Sequence, residues 1–250
     1  MRKRVNFFFA IVLLISSCKN NDRYSEKEIV HDVYDFSFVF MTDIHITDQY
    51  NAVKGFQKAL KTVDNLEPDF VITGGDLIMD ALEADYQKTK KQYEIYKKEI
   101  NNLSMPVHNT IGNHEIFGWS NPQIDTAHEE YGEKIYMNEI GKPYYAFTHK
   151  GWLFIILDGI EKKDEDGYYG KIDKAQKEWI KQELEQTDPK TPIVLSTHIP
   201  FITVYAQYSD STTARNNETL VITNGKEILG LFENHNLKLV LQGHLHYFED

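Results

Sequence analysis

The sequence predicts an α/β fold built on parallel strands, and three observations carry that prediction. Short runs of β-branched, aromatic and other apolar residues alternate with longer stretches of helical periodicity. Strand after strand closes on a polar or metal-capable side chain, and in open α/β sheets ligands bind beyond those carboxyl ends. The composition is 41% hydrophobic, 13% aromatic and 26% charged over 250 residues, that of a folded chain able to bury a sizeable core.

Taken in order, residues 36–41 read as a strand ending at Thr42-Asp43, followed by a helix over about 51–66. Residues 70–72 read as a second strand, ending at Thr73-Gly74-Gly75-Asp76, and a second helix runs over about 81–103 with Tyr86, Tyr93 and Tyr96 on its core face. A third strand over 106–111 closes at Gly112-Asn113-His114, so this half is a β-α-β-α-β series with right-handed crossovers. Residues 144–148 and 152–157, separated by Lys150-Gly151, read as a hairpin opening a second sheet. A helix over about 172–186 places Trp179, Ile180 and Leu184 on one face. A strand over 193–196 ends at Thr197-His198, a helix is expected over 224–235, and a last strand over 237–241 closes at Gly243-His244. The stretch 203–222, with Tyr205, Tyr208 and Arg215, reads as a long loop beside the strand ends. The acidic run 161–166 reads as a solvated loop, and His31, His108, His128, His149 and His235 as solvated or simply packed.

The 27 Lys+Arg against 38 Asp+Glu give a formal charge of −11, which disfavours broad nucleic-acid binding through a basic face. Small anionic substrates stay compatible with it if a metal supplies local positive charge. The lone Cys18 can form neither an intramolecular disulfide nor a thiolate metal site, so any metal must use His, Asp, Glu or Asn. Arg2, Lys3 and Arg4 precede an apolar run over 7–15, a secretory-signal pattern too short to span a bilayer, which takes about 20 residues. Ile15-Ser16-Ser17-Cys18 resembles the lipobox of bacterial lipoproteins, which implies lipidation at Cys18 and a lipid-anchored place in the bacterial cell envelope; a structural thiol or an uncleaved anchor is the plainer reading. The expected organisation is a leader over 1–17, a polar tether over 18–33 and one domain over 34–250. Loss of the leader removes three basic residues and takes the charge to −14.

Five short motifs carry the chemistry: Asp43-Ile44-His45, Gly75-Asp76, Gly112-Asn113-His114-Glu115, His198, and Gly243-His244-Leu245-His246. Carboxylate, imidazole and amide together suit Mn, Fe or Zn better than Ca or a thiolate zinc site. Two ions about 3.5–4 Å apart can clamp a phosphate and activate water near neutral pH. Pairs spaced one apart, such as Asp43/His45 and His244/His246, converge only if the backbone turns after the strand, and the glycines at Gly75, Gly112 and Gly243 allow close approach.

In this order, the motifs resemble the blocks of the calcineurin-like metallophosphoesterase superfamily, D-x-H, G-D, G-N-H-[DE], H and G-H-x-H, over about residues 36–246. The resemblance implies a four-layer αββα sandwich of two mixed β-sheets flanked by helices. It implies that Asp43, His45 and His246 hold one divalent ion, that Asn113, His198 and His244 hold the other, and that Asp76 bridges both together with a hydroxide. His114 would face the substrate as general acid or as a stabiliser of transition-state charge. The implied activity is hydrolysis of small phosphomonoesters or phosphodiesters by attack of the bridging hydroxide, with Asn113, Tyr205, Tyr208 and Arg215 as candidate substrate contacts. Glu115 is expected to support the site from behind. Asp80 is expected to act as a helix amino-terminal acid, or else to orient His114.

Departures narrow the branch. Met79 stands where purple acid phosphatases carry a metal-binding tyrosine, and the stretch Gly75 to Ala81 lacks the Arg-Gly of protein serine/threonine phosphatases. The ends of the motif series look closer to cyclic-nucleotide phosphodiesterases and assorted bacterial phosphoesterases. A metal-dependent nuclease and a non-catalytic metal- or phosphate-binding lipoprotein are the competing classes. Family members generally continue past G-H-x-H with further strands, so the chain looks clipped; if no more residues follow in the cell, a destabilised second sheet and an unusually exposed His246 are expected.

Overall fold

The computed structural model describes residues 36–163 and 167–249. The expected leader, the lipidation site Cys18, the tether and His31 lie outside the described residues. The first half comprises β1 (Phe38–Met41), α1 (Ala52–Leu66), β2 (Phe70–Thr73), α2 (Tyr86–Ile100), β3 (Val107–Asn109) and the short α3 (Lys134–Glu139). After it come β4 (Tyr145–His149), β5 (Trp152–Ile156), β6 (Ile160–Lys162), β7 (Tyr168–Gly170), α4 (Lys174–Glu185), β8 (Pro192–Ser196), α5 (Tyr205–Ser209), α6 (Gly225–Gly230) and β9 (Asn236–Leu241).

Side-chain alternation along the strands sorts the molecule into the expected four layers. In β1 and β2, Val39, Met41 and Val71 point toward the helices, where α1 buries Phe56, Leu60 and Val63 at helical spacing and α2 buries Tyr93, Tyr96 and Ile100. Phe40, Phe70 and Ile72 point the other way and meet Phe154, Ile156, Val194 and Leu241 of the second sheet. Aromatic rings fill that interface, with Phe70 edge-on to Phe154 at 5.1 Å between centroids. On the outer face of the second sheet Leu153, Ile155, Ile193 and Leu195 share a core with Ile180 and Leu184 of α4 and Ile228 of α6. Each such side chain contributes about 1.5–3 kcal/mol by leaving water. Trp179 sits at the edge of that layer, half-buried against Tyr144.

The first sheet, in order β1-β2-β3, is parallel throughout its described strands, because helical crossovers join its members. Only the second, in order β4-β5-β8-β9, is mixed: a turn at Lys150-Gly151, both with positive φ, folds β4 back antiparallel on β5. Other departures have local causes. The second helix begins at Tyr86 instead of 81, because Asp85 is extended and its carboxylate accepts the Lys88 N–H at 2.8 Å. The helix expected over 224–235 stops at Gly230, where glycine weakens it. The loop over 203–222 contains α5, and Glu161 lies in β6 paired with Tyr169 instead of in a solvated loop. Three-residue strands rich in Lys, Glu and Tyr give too weak a period to be seen in advance.

The ends of β1, β2, β3, β8 and β9 open toward one edge of the sandwich. A buried bond between the Thr110 and Ser196 hydroxyls, 2.8 Å, ties the two sheets together beside it.

Candidate metal centre

Backbone turns bring the motif residues together. Asp43, His45, Asp76, His244 and His246 all have φ between 48° and 76°, the left-handed region that non-glycine residues enter rarely and mostly where surrounding bonds hold them. That is how residues spaced one apart aim the same way after a strand. The Asp43 and His45 N–H groups donate to Gly75 and Asp76 carbonyls at 3.1 and 2.8 Å, which zips the first two loops together. At Gly112 a Cβ would strike Asp76, and at Gly243 it would strike Thr42 and Asp43, so both glycines are required by close approach.

Two donor groups result, sharing one carboxylate. Asp43, His45, Asp76 and His246 bring ligand atoms within 4.8 Å of one another, and so do Asp76, His198 and His244. His246 Nε2 is 3.2 Å from Asp43 Oδ1 and 3.0 Å from His45 Nε2, while His198 Nε2 is 3.1 Å from Asp76 Oδ2 and 3.2 Å from His244 Nδ1. Asn113 is buried in a single 3-10 turn over Asn113–Glu115, and the next residue, His114, donates its backbone N–H to Asp76 Oδ1 at 3.0 Å. Asn113 Oδ1 is buried and finds no hydrogen-bond partner among the described residues. Such an orphaned atom is costly and calls for an occupant, and the carboxylate, imidazole and amide set fits divalent Mn, Fe or Zn.

Charge in the centre is held by mutual contact. Burial works to raise the Asp76 carboxyl, but the charge of His198 and its hydrogen bond outweigh it and keep it ionised. Burial opposes a charged His198 as well, yet Asp76 lifts its pKa to about 9. His45 and His244 go the other way, to about 4, chiefly through burial. The bond to Asp43 raises His246, whose side chain is 59% exposed.

A ring of supporting bonds aims these side chains. His198 Nδ1 meets the Gly74 carbonyl at 2.8 Å, and His244 Nε2 meets the Thr219 carbonyl at 2.9 Å. Both Asp43 oxygens accept the His244 backbone N–H, and Thr42 Oγ1 donates to Asp43 Oδ2 at 2.7 Å. Glu115, expected behind the site, accepts four backbone N–H groups: Asp76 and Gly112 on Oε2, Leu77 and Ile78 on Oε1. Burial and the neighbouring Asp76 charge push its carboxyl up, and the backbone N–H bonds pull it back toward the ionised form. His114 bonds through Nδ1 to the Met79 carbonyl, which leaves Nε2 facing Asp76 Oδ2 at 3.9 Å. Met79, not Asp80, therefore orients His114. Asp80 instead accepts the Glu83 N–H within the turn before α2, so it is not in that helix's first turn either.

Tyr205 and Tyr208 pack their rings near Tyr247, next to His246, at 6.1 and 5.3 Å, whereas Arg215 is exposed in the same segment. One neighbour of the centre had no sequence signal: Tyr168 in β7, whose ring stands edge-on to His244 at 6.1 Å. Burial, with the charge of Asp76, raises its phenol to about 12.

Comparison with known proteins agrees with this geometry. The family model for calcineurin-like phosphoesterases matches residues 36–248. Over 105 residues the chain is 30% identical to a human manganese-dependent ADP-ribose/CDP-alcohol diphosphatase; the match covers 38% of this chain and only 30% of that protein. Among solved structures, a dimetal phosphatase from Danio rerio superposes with a TM-score of 0.58 at 14% identity, covering 84% of this chain and 81% of that one. GAP50, the anchor in the inner membrane complex of Plasmodium, gives 0.50 at 15% identity over 83% and 65%. At these identities the structural likeness concerns the fold alone.

Proposed function

Because this chain belongs to the calcineurin-like phosphoesterase family, we propose that it is a dinuclear metal-dependent hydrolase of small phosphoric esters. In this reading Asp43, His45 and His246 serve one divalent ion, Asn113, His198 and His244 serve the other, and Asp76 serves both. The observation that carries it is the pair of donor groups meeting at one buried carboxylate. Two ions held there supply an activated water and positive charge against the phosphoryl oxygens. The protein's own part is orientation. The Asp76 carboxylate is fixed by the His114 N–H, and His198 and His244 are fixed by carbonyls behind them.

His114 is the acid in this scheme. The Met79 carbonyl accepts from Nδ1–H, so it is the doubly protonated ring that presents a second, exchangeable proton on Nε2 toward the leaving oxygen. His114→Asn should keep both ions and lower turnover about 10²–10⁴-fold on an alkyl phosphate, a typical general-acid contribution. The loss should be much smaller on p-nitrophenyl phosphate, whose leaving group needs no proton. Equal losses on both substrates would assign His114 to charge stabilisation instead.

The function itself is tested by metal analysis with turnover of p-nitrophenyl phosphate and bis-p-nitrophenyl phosphate after loading with Mn, Fe(II) or Zn. About two ions per chain and hydrolysis of at least one ester are expected. Absence of turnover with every metal would favour a binding protein. ADP-ribose and a CDP-alcohol belong in the same assay, since the human relative's name supports a nucleotide-linked diphosphate as substrate.

A further inference from the structure

Tyr168 differs from the four tyrosines packed around Asn109 and Glu115. The hydroxyls of Tyr93, Tyr96, Tyr136 and Tyr145 are all spent, on the Glu115 carbonyl, the Asn109 side chain and the Asn109 carbonyl. The Tyr168 ring is half-buried, but its hydroxyl makes no hydrogen bond with any described residue. It lies on the side of the His198–His244 donor group, with its ring edge-on to His244 at 6.1 Å between centroids.

The placement is rigid. The hairpin β6–β7 is tied down by Gly167 N–H to the Trp119 carbonyl at 3.2 Å, Gly170 N–H to the Glu218 carbonyl at 2.7 Å and Thr223 N–H to the Gly170 carbonyl at 2.8 Å. The strap it joins, residues 218–223, also supplies the Thr219 carbonyl that aims His244. One piece of backbone thus positions both the Tyr168 ring and a residue of the centre. A phenol is an uncharged O–H donor at neutral pH, and phosphoryl oxygens are pure acceptors that gather charge in the transition state.

We propose that Tyr168 is a substrate-binding residue whose hydroxyl donates a hydrogen bond to a non-bridging phosphoryl oxygen. The assignment rests on the phosphoesterase reading and adds to it a recognition group for the phosphoryl moiety itself. The test is Tyr168→Phe in the full chain, which keeps the ring against His244 and removes only the donor. Metal content and thermal midpoint should be unchanged. Affinity for inorganic phosphate, measured by calorimetry on the metal-loaded protein, should fall by about 10-fold or more, the scale of a hydrogen bond to a charged group. On p-nitrophenyl phosphate kcat/KM should fall at least as far. Unchanged phosphate affinity overturns the proposal, and so does a variant that loses metal, which would make Tyr168 a packing support for His244. A wild-type protein that binds phosphate but hydrolyses no ester overturns the enzymatic reading alone, because the phosphate arm still reads Tyr168.

Discussion

Asp76→Asn is expected to disable both halves of the centre at once. Metal content should drop from about two ions per chain to less than one, and turnover by ~10³-fold or more. Residues that merely support a ligand typically cost 10–100-fold in metal affinity or activity when changed, and a shared ligand must cost more than that. The geometry explains why one atom pair matters so much. Oδ2 faces His198 at 3.1 Å and His45 at 3.6 Å, from different donor groups, while Oδ1 is occupied by the His114 N–H. An amide in that place offers one acceptor oxygen and no charge, and its NH₂ would oppose whatever cation His198 and His45 address. The fold should survive, since the Asp76 side chain bonds only within the site. A variant that retains two ions and wild-type turnover would show that Asp76 is not the shared ligand.

Most of the centre was legible because its residues stand at strand ends, where parallel topology makes distant segments neighbours. Asp43 and His244 are 201 residues apart, yet His244 N–H reaches Asp43 because β1 and β9 both finish at the same edge. The four layers were expected only through the family resemblance, and the structure supplies their physical reason: alternating Phe and Val in β1 and β2 demand apolar partners on both faces. What could not be read is how the side chains are aimed. Positive φ at Asp43, His45, Asp76, His244 and His246 is set by long-range bonds, and no local propensity announces it. Carbonyl partners are equally silent, since Met79, Gly74 and Thr219 contribute only backbone oxygen and any residue would offer that. Tyr168 escaped notice because a tyrosine in a three-residue strand carries no periodic signal, and its meaning depends on a hairpin docked against segment 218–223.

Glu115→Ala should be among the most destabilising single changes available in this chain. Its carboxylate is fully buried and collects the N–H groups of Asp76, Leu77 and Ile78 from one loop and Gly112 from another. Truncation leaves four buried donors facing a void, and each unsatisfied group costs about 1–3 kcal/mol, so a loss of roughly 4 kcal/mol or more is expected even if water enters. Set against a typical total stability of about 5–15 kcal/mol, that is enough to make the variant marginal. Glu115→Gln preserves the shape but presents NH₂ to one donor pair while its oxygen serves the other, so it should fall between wild type and Ala. The consequence for function follows from the backbone. Asp76 is held at φ 50° by the very loop that Glu115 clamps, so the Gln variant should bind metal more weakly although no proposed ligand has been touched. Urea unfolding of the metal-free proteins measures the first effect and metal titration of the Gln variant the second. A Glu115→Ala protein within 1 kcal/mol of wild type, on the scale of a single ordinary hydrogen bond, would mean that the four bonds do not act together to hold the loop.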